Sequence, residues 1–210
     1  MARSVLLTGA SGALGPHLVL ELLRCVDVER VFVLLRRSPI PLSHRVGELQ
    51  QAVRILAAGG EGDFFLPERI VPVFADIRQA DLGQADAAST EMLRTVDVII
   101  HAAANTRFSA PLNDLFDVNV IGTRHLLSFA RRCPRLQQFV FVSTTCVAGT
   151  RTGVVSECLD EEPPAFVNDY ERTKWQGEQL VAQAELPARI VRLSTCLGDP
   201  HTGYVHRFGA

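Results

Sequence analysis

The sequence has almost no lysine. Its 210 residues contain twenty arginines but a single lysine, Lys174, and only two tyrosines, Tyr170 and Tyr204. Because arginine fills every other basic position except histidine, a lysine at 174 indicates a site that needs a titratable ammonium group rather than a permanently charged guanidinium. Lys174 follows Tyr170 by four residues, a spacing that places two side chains on one face of a helix. We therefore take both as candidate catalytic residues; a solvated lysine on a helix surface is the alternative.

Other absences argue against whole classes of function. A net charge of −2 with mixed signs gives no electrostatic basis for binding nucleic acid or an acidic membrane. No apolar run approaches the length of a membrane span, and the first residues resemble a strand rather than a signal peptide. The five cysteines form no CxxC pair and leave one unpaired, so neither a zinc site nor a disulfide framework is indicated. We predict a cytoplasmic protein with buried, reduced cysteines and no metal site.

Short apolar, β-branched segments alternate with helical patterns along the chain. The predicted strands are 4–8, 31–35, 69–74, 97–102, 138–143 and 188–193, and the predicted helices are 12–24, 44–58, 86–95, 111–132 and 170–184. Continuously apolar strands are typical of parallel sheets covered on both faces, and this alternation predicts βαβ units. The predicted fold is α/β, a doubly wound parallel sheet of the Rossmann type. It forms one domain over 1–210, with a helical insertion at about 38–68.

A glycine-rich turn joins the first predicted strand to the first predicted helix. The segment TGASGALG contains Gly9, Gly12 and Gly15. Glycines here keep the turn tight and let the backbone approach a pyrophosphate, which binds the N–H groups at the start of the helix. Pro16 fits only if it lies in the first helical turn. The turn predicts a dinucleotide site, with an ordinary glycine-rich connection as the alternative.

The end of the second predicted strand favours NADP(H) over NAD. A ribose-binding carboxylate is expected about twenty residues past the glycines when the ligand is NAD. The chain instead has Arg36 and Arg37 in the segment VLLRRS, with no carboxylate. Two guanidinium groups can bind a 2′-phosphate through charge-assisted hydrogen bonds. We predict NADP(H) as the cofactor; a solvated arginine pair is the alternative.

The predicted helix 111–132 carries an amide on its apolar face. Asn119 shares that face with Leu112, Leu115, Phe116, Thr123, Leu126 and Leu127. Because a buried amide needs hydrogen-bond partners, Asn119 is either a site residue or a helix-packing residue.

Six motifs occur in the order found in the extended short-chain dehydrogenase/reductases: TGASGALG, FADI, HAAANTRFS, NVIGT, FVSTT and DYERTKW. The chain resembles most closely the thioester-reductase branch, which includes fatty acyl-CoA reductases and the terminal domains of carboxylic acid reductases and nonribosomal peptide synthetases. The helical insertion and the tail GDPHTGYVHRFG are also similar to that branch. The resemblance implies NADPH-dependent reduction of an acyl thioester, carried by CoA or by a carrier protein, to an aldehyde.

The resemblance also implies a role for each matching residue. Thr144 would hold the substrate carbonyl oxygen, with Ser143 or Thr145 as alternatives in the run of three hydroxyl residues. Tyr170 would be the catalytic acid and Lys174 its partner, whose ammonium group favours the phenolate. Asn119 would organise Lys174 and a proton-relay water. The cofactor would contact Gly9, Ser11, Gly12, Ala13, Leu14, Gly15, Arg36, Arg37, Asp76, Ile77, Ala102, Ala103, Ala104 and Lys174.

Departures from the family pattern keep other functions open. The segment TTCVAG lacks the acidic pair of sugar-nucleotide dehydratases, and Ala148 stands where epimerases usually have tyrosine. The chain ends where the resembling proteins begin a substrate-binding region, so we expect that region to be absent and thioester reduction by these 210 residues to be very slow. The alternatives are a sugar-nucleotide epimerase, a ketone or alcohol dehydrogenase, or a nonenzymatic NADP(H)-binding module or fragment. A homodimer through helices 111–132 and 170–184 is a further expectation.

Overall fold

The computed structural model describes residues 2–58, 67–83, 87–158 and 162–206. Within them, six strands form one sheet: β1 (Arg3–Thr8), β2 (Val28–Leu35), β3 (Ile70–Phe74), β4 (Val96–His101), β5 (Gln138–Thr144) and β6 (Ala188–Leu193). The strand order is β3-β2-β1-β4-β5-β6, and every neighbouring pair is parallel. The order reverses between β1 and β4, the point at which doubly wound sheets bind dinucleotides. The predicted α/β doubly wound sheet is confirmed.

Within the same described ranges, six helices accompany the strands: α1 (Gly15–Arg24), α2 (Leu42–Ala57), α3 (Ala87–Thr95), α4 (Leu112–Phe116), α5 (Gly122–Ala130) and α6 (Asp169–Ala182). Single turns of 3₁₀ helix cover Pro67–Arg69 and Thr145–Ala148, and Ala80–Gly83 forms a turn in which Asp81 and Leu82 have positive φ. The helix predicted within the insertion is α2, whereas residues 59–66 of the insertion lie outside the described residues. α1 begins three residues later than predicted, because residues 9–14 form the turn that precedes it.

The predicted helix 111–132 is not one regular α-helix. A π-helical turn over Asp117–Ile121 separates α4 from α5, and the Gly122 N–H donates to the Asp117 carbonyl, five residues back. Such turns leave backbone groups available for other partners. The Asn119 carbonyl accepts a hydrogen bond of 2.7 Å from the Thr123 hydroxyl. The 3.6-residue apolar spacing that predicted the helix cannot distinguish a π turn within it.

The apolar side chains form two clusters, one on each face of the sheet. Leu6, Phe32 and Phe139 face a cluster to which α5 and α6 contribute Leu126 and Val181. The alternate positions of the same sheet face a second cluster built with α1 and α2, containing Val5, Leu7, Val31, Val33, Val19, Leu20, Leu49 and Val53. Burial on both faces explains why the strands are continuously apolar.

The cysteines differ from the prediction of buried thiols. All five are free, but only Cys133 is buried, and Cys25, Cys146, Cys158 and Cys196 are exposed. Burial raises the pKa of the Cys133 thiol to about 12. The exposed cysteines lie in turns or loops, where the sequence carries no apolar periodicity that would report burial.

In the parts of the chain that the structure describes, no helix combines the length and the apolar composition needed to cross a membrane.

Candidate active site

The glycine turn follows β1 and leads directly into α1. Gly9 has φ of +79°, and a Cβ there would lie 2.7 Å from the backbone of Ala102. A Cβ at Gly15 would overlap the Ala10 carbonyl group. Both positions therefore require glycine for chain packing alone. Pro16 is within the first turn of α1, as the prediction required.

Gly12 differs from the other two glycines because its surroundings are open. Among the described residues, a Cβ at Gly12 would meet only the Gly9 carbonyl oxygen, at 3.2 Å. The residue that precedes α1, Leu14, offers no side-chain cap to the helix. The Gly15 N–H donates to the Gly12 carbonyl at 3.1 Å and Pro16 has no N–H, so the His17 N–H is the donor of the first helical residues that suits another acceptor. Ser11 and Ala13 complete the turn, with Ala13 exposed. An uncapped helix start beside an open glycine fits a phosphate group.

The predicted arginine pair lies just past the end of β2. Both side chains are exposed, and the Arg36 carbonyl accepts a hydrogen bond from the Arg45 guanidinium of α2. The guanidinium carbon of Arg37 lies 5.1 Å from the centroid of the Phe74 ring, at the end of β3. This cation–π contact holds one of the two guanidiniums beside the neighbouring strand. Phe74 was not among the predicted site residues.

Asp76 and Ile77 follow β3 on the same edge of the sheet. The Asp76 carboxylate accepts hydrogen bonds from the Arg78 guanidinium, the shortest being 2.6 Å, and Arg78 holds the pKa of that carboxyl below its usual range. The Ile77 side chain contacts Gly122, where a Cβ would come within 2.7 Å of it. The Ile77 carbonyl bonds His125 Nδ1 at 2.9 Å. Arg78 is an additional cation that the sequence analysis missed.

The three alanines predicted as a cofactor wall follow β4. Ala102, Ala103 and Ala104 are each partly buried, and Ala102 lies against the glycine turn. The Ala103 N–H donates to the Thr8 hydroxyl at 3.1 Å. The structure thus brings the loops after β1 and β4 into contact at the point where the strand order reverses.

The His101 ring connects β1, β4 and the π turn through hydrogen bonds, and it was not among the predicted site residues. Thr123 donates to the Asn119 carbonyl, so its oxygen accepts from His101 Nε2–H at 3.1 Å. His101 Nδ1 then accepts from the Thr8 hydroxyl at 2.8 Å. Burial lowers the pKa of His101 to about 3, consistent with a neutral ring. A single directed chain of hydrogen bonds therefore links β1, β4 and the π turn.

A capping box fixes the start of α6. The Asn168 side chain accepts from the Glu171 N–H at 3.0 Å, and the Glu171 carboxylate accepts from the Val167 N–H at 2.9 Å. This reciprocal pair satisfies N–H groups at the helix start. It places Tyr170 in the first turn and Lys174 one turn later, on the face that covers β5.

Lys174 is buried, with only 3% of its surface exposed. Its ammonium group donates to the Val142 carbonyl at 2.7 Å and lies 4.1 Å from the centroid of the Phe141 ring. Burial lowers the pKa of Lys174 to about 7, and Glu178 acts in the opposite direction. The alternative of a solvated surface lysine is wrong.

Tyr170 and Thr144 meet at the end of β5. The Thr144 side chain lies beside the Tyr170 hydroxyl, and the Phe108 ring lies 5.3 Å from the Tyr170 ring, centroid to centroid. Burial raises the pKa of Tyr170, while Thr144 acts in the opposite direction. The expected shift toward phenolate is therefore not the direction found, because desolvation outweighs the favourable contacts. Phe108 is 56% exposed and was not predicted.

The three adjacent hydroxyl residues are separated by the strand geometry. Thr144 lies beside Tyr170, and its oxygen also accepts from the Cys146 N–H at 3.2 Å. Thr145 is exposed in the following turn. The Ser143 hydroxyl is buried and has no hydrogen-bond partner among the described residues. The geometry thus favours Thr144 over its two neighbours.

Asn119 is buried in the π turn and connects a loop to α6. Its oxygen accepts from the Asn105 N–H at 2.8 Å, and its nitrogen donates to the Asn105 carbonyl and to the Thr173 hydroxyl, both at 3.1 Å. Thr173 in turn donates to the Tyr170 carbonyl at 3.0 Å. Asn119 therefore ties the loop after β4 to the helix that carries Tyr170 and Lys174.

Comparison with known proteins gives related sequences and structures. A model of the NAD-binding family described as male sterility protein matches residues 7–209. Fatty acyl-CoA reductase 1 of Gallus gallus is 32% identical over 238 residues, covering 98% of this chain and 46% of that protein. The terminal R domain from the myxalamid PKS-NRPS biosynthetic pathway has a TM-score of 0.78 at 31% identity, covering 92% of this chain and 48% of that chain.

A more distant structure shares the same framework. The UDP-glucuronic acid 4-epimerase from Bacillus cereus, in complex with NAD, has a TM-score of 0.65 at 26% identity and covers 92% of this chain and 57% of that one. The chain spans less than half of the reductase and of the R domain that it matches.

Proposed function

Since the chain belongs to the family described as male sterility protein, we propose that it provides the nucleotide-binding and catalytic residues of an NADPH-dependent reductase of acyl thioesters. The similarity to a fatty acyl-CoA reductase and to a terminal R domain supports this class. Hydride addition to the thioester carbon and protonation of its oxygen give a hemithioacetal. Cleavage of its C–S bond releases the carrier as a thiol and leaves an aldehyde. A sugar-nucleotide epimerase is the competing function, since such an enzyme shares the sheet at a lower TM-score.

The cofactor site of this proposal lies at the carboxyl ends of β2, β1 and β4. The uncapped start of α1 and the open side of Gly12 suit the pyrophosphate. Arg36 and Arg37 are exposed at the end of β2, where they are free to bind a 2′-phosphate. Asp76 and Ile77 would lie beside the adenine, and Ala102, Ala103 and Ala104 would support the nicotinamide half.

The catalytic site lies where β5 and α6 meet. When bound, the reduced nicotinamide supplies hydride to the thioester carbon. The Thr144 and Tyr170 hydroxyls, which lie beside each other, both donate to the carbonyl oxygen as its negative charge develops. Because burial raises the pKa of Tyr170, its phenol keeps its proton at neutral pH and can transfer it to that oxygen.

Lys174 lies one helical turn from Tyr170 on the same face of α6. The Val142 carbonyl and the Phe141 ring fix the position of its ammonium group. Remaining N–H donors of the ammonium group are available for the cofactor ribose hydroxyls. A pKa of about 7 makes the lysine a proton acceptor and donor at neutral pH, a role that arginine cannot take. Asn119 holds the π turn against α6 and so keeps these groups in register.

The buried Lys174, fixed one helical turn from the Tyr170–Thr144 pair, is the observation that carries this proposal. The test is oxidation of NADPH by the protein on addition of a long-chain acyl-CoA, followed for long enough to measure the very slow turnover expected of these 210 residues, with a UDP-sugar in place of the thioester as the control. We expect Lys174→Arg to remain folded, by circular dichroism, and to lose more than tenfold in turnover, equivalent to over ~1.4 kcal/mol of barrier. Thioester-independent oxidation, or a variant that retains its activity, would contradict the proposal.

The acyl carrier is either CoA or a carrier protein, and each gives the same thioester chemistry at the reacting carbon. A cytoplasmic location and a homodimer through the helices predicted at 111–132 and 170–184, which correspond to α4–α5 and α6, stay predictions.

A further inference from the structure

A third charged residue continues the face of α6 that carries Tyr170 and Lys174. Glu178 lies one helical turn beyond Lys174, and it is fully buried, with 0% of its surface exposed. A buried carboxylate has a high desolvation cost unless it is paired and hydrogen-bonded. Neither the sequence spacing nor the proposed reaction accounts for a carboxylate at this position.

Glu178 is paired with Arg192 of β6 in a forked arrangement. Arg192 Nε donates to Glu178 Oε1 at 3.0 Å, and Arg192 Nη2 donates to Oε2 at 2.7 Å. The Arg192 side chain is only 19% exposed. Two parallel charge-assisted hydrogen bonds in a water-poor setting fix both groups. The pair therefore places a negative charge one helical turn from Lys174 and fixes its positive partner on β6.

The other charged and titratable groups near Lys174 are few. The elements packed against α6 are α4, the π turn, α5, β5, the turn after β5, and β6. β5 has no ionisable side chain. His101 is neutral behind the Phe141 ring, 5.5 Å from it between centroids. The ionisable residues that these elements and α6 itself contribute are Asp114, Asp117, Arg124, His125, Cys146, Asp169, Tyr170, Glu171, Arg172, Glu178, Arg189 and Arg192.

Most of these groups have partners or positions that separate them from Lys174. Glu171 is engaged in the capping box, and Arg124, Asp169, Arg172 and Arg189 are exposed or partly exposed. Asp114 and Asp117 act on Arg78 across the site. Glu178 is the carboxylate that acts on the titration of Lys174. The charge state of the lysine therefore depends chiefly on burial and on Glu178.

We propose that Glu178 and Arg192 are positioning residues that set the protonation of Lys174: the carboxylate retains the proton on the lysine, and the guanidinium limits that effect. One consequence of this inference rests on the proposed function: the pH range in which the protein reduces its substrate would depend on Glu178 and Arg192. If Glu178 lost its charge, Lys174 would lose its proton at lower pH. If Glu178 kept its charge but lost Arg192 as a partner, Lys174 would keep its proton to higher pH.

A purely structural pair would behave differently. If Glu178 and Arg192 only pinned α6 to β6, removing either partner would loosen the same contact and admit water around Lys174. Because burial is the largest cause of the lowered pKa, both changes would then move the titration in one direction, upward toward the ordinary lysine value of 10.5. Shifts of opposite sign therefore separate the two roles.

The chain offers an unusually direct measurement, since Lys174 is its only lysine. Protein labelled with ¹³C at lysine Cε gives one side-chain resonance, whose pH titration reports Lys174 without assignment and without turnover. We expect Glu178→Gln to move the midpoint lower by roughly one to two pH units, as expected for loss of a unit charge one helical turn away. We expect Arg192→Gln to move it higher by a similar amount.

Two further variants keep the test decisive. Arg189→Gln removes the same charge from an exposed position of β6 and should leave the midpoint unchanged. Glu178→Asp keeps the charge, and its midpoint should stay closer to that of the unmodified protein than the Glu178→Gln midpoint does; if Glu178→Gln does not fold, the Glu178→Asp and Arg192→Gln titrations decide. Shifts in the same direction, or shifts no larger than that of Arg189→Gln, would overturn the proposal. Because the titration needs no thioester, its failure is distinct from absence of reductase activity.

Discussion

At the residue scale, the charged form of Lys174 destabilises the folded state. It is buried, and its pKa is lowered from 10.5 to about 7. Between these values the unfolded chain binds more protons than the folded one, so the free energy of unfolding rises as pH rises through this window. The full cost is present below about pH 7 and is relieved on approach to 10.5. A residue kept at such a cost is typical of a functional site.

Replacing this lysine should therefore stabilise the fold. We expect Lys174→Met to raise the free energy of unfolding by about 1–3 kcal/mol at neutral and acidic pH, because an apolar side chain of similar length fills the same space. The advantage should shrink as pH rises from about 7 toward 10.5, where the lysine of the unfolded chain also loses its proton. Urea unfolding at several pH values measures this. Arg172→Met, at an exposed position of α6, should show no such pH dependence, and a constant difference for Lys174→Met would contradict the lowered pKa.

The arginine pair gives a second prediction at this scale. We expect the double variant Arg36→Ala, Arg37→Ala to bind NADPH at least tenfold more weakly, because each charge-assisted contact contributes about 1.5–3 kcal/mol. NADH, which lacks the 2′-phosphate, should bind the variant and the unmodified protein equally. Calorimetric titration measures both. Arg24→Ala, at the far end of α1, is the matched control, and an equal loss for NADH would show that the pair does not select the phosphate.

The composition identified some site residues and could not identify others. Lysine is so scarce that Lys174 and Tyr170 stood out without any structure. Glu178 and His101 did not, because acidic residues and histidines are common along the chain and their importance comes from partners distant in sequence. Thr144 could be separated from Ser143 and Thr145 only when the strand showed which hydroxyl faces Tyr170.

At the scale of elements, strand and helix positions follow from apolar patterning, whereas departures from regular geometry do not. Six strands and the helices between them were predictable because each is covered on the side that its apolar residues face. The π turn was not, because it adds one residue to a helix without changing its composition. It nevertheless determines the Asn119 contacts that join the loop after β4 to α6.

Gly15 and Gly47 both lie in helices, but only Gly15 has no room for a larger side chain. Gly15→Ala should unfold or severely destabilise the protein, because its Cβ would overlap the Ala10 backbone. Gly47→Ala should instead stabilise it by about 0.5–1 kcal/mol, since Gly47 is exposed within α2, with nothing within 4 Å of a Cβ, and alanine favours the helix. Thermal unfolding compares the two. A Gly15→Ala variant as stable as the unmodified protein would show that the turn adapts, contrary to the packing described.

At the scale of the whole molecule, the sheet separates two tasks. The half of the sheet formed by β1, β2 and β3 carries the groups proposed for the adenosine half of the cofactor. The half formed by β4 and β5, together with α6, carries the groups proposed for the reaction. The hydrogen-bond chain from Thr8 through His101 to the π turn connects the two. Cofactor binding should therefore stabilise the molecule as one unit.

That stabilisation is measurable without any substrate. At a concentration of NADPH 100 times its Kd, binding to the folded state alone adds about 2.7 kcal/mol, and for a chain of this size each kcal/mol moves Tm by roughly 2–4 °C. We therefore expect NADPH to raise Tm by roughly 5–10 °C. Gly12→Ala should lose most of this shift while its Tm without cofactor stays nearly unchanged, because the added Cβ meets only the Gly9 carbonyl oxygen and otherwise occupies the side open to phosphate. If Gly12→Ala keeps the full rise in Tm with NADPH, the nucleotide binds elsewhere on the molecule, because the variant differs from the unmodified protein only by the added methyl group at the proposed phosphate site.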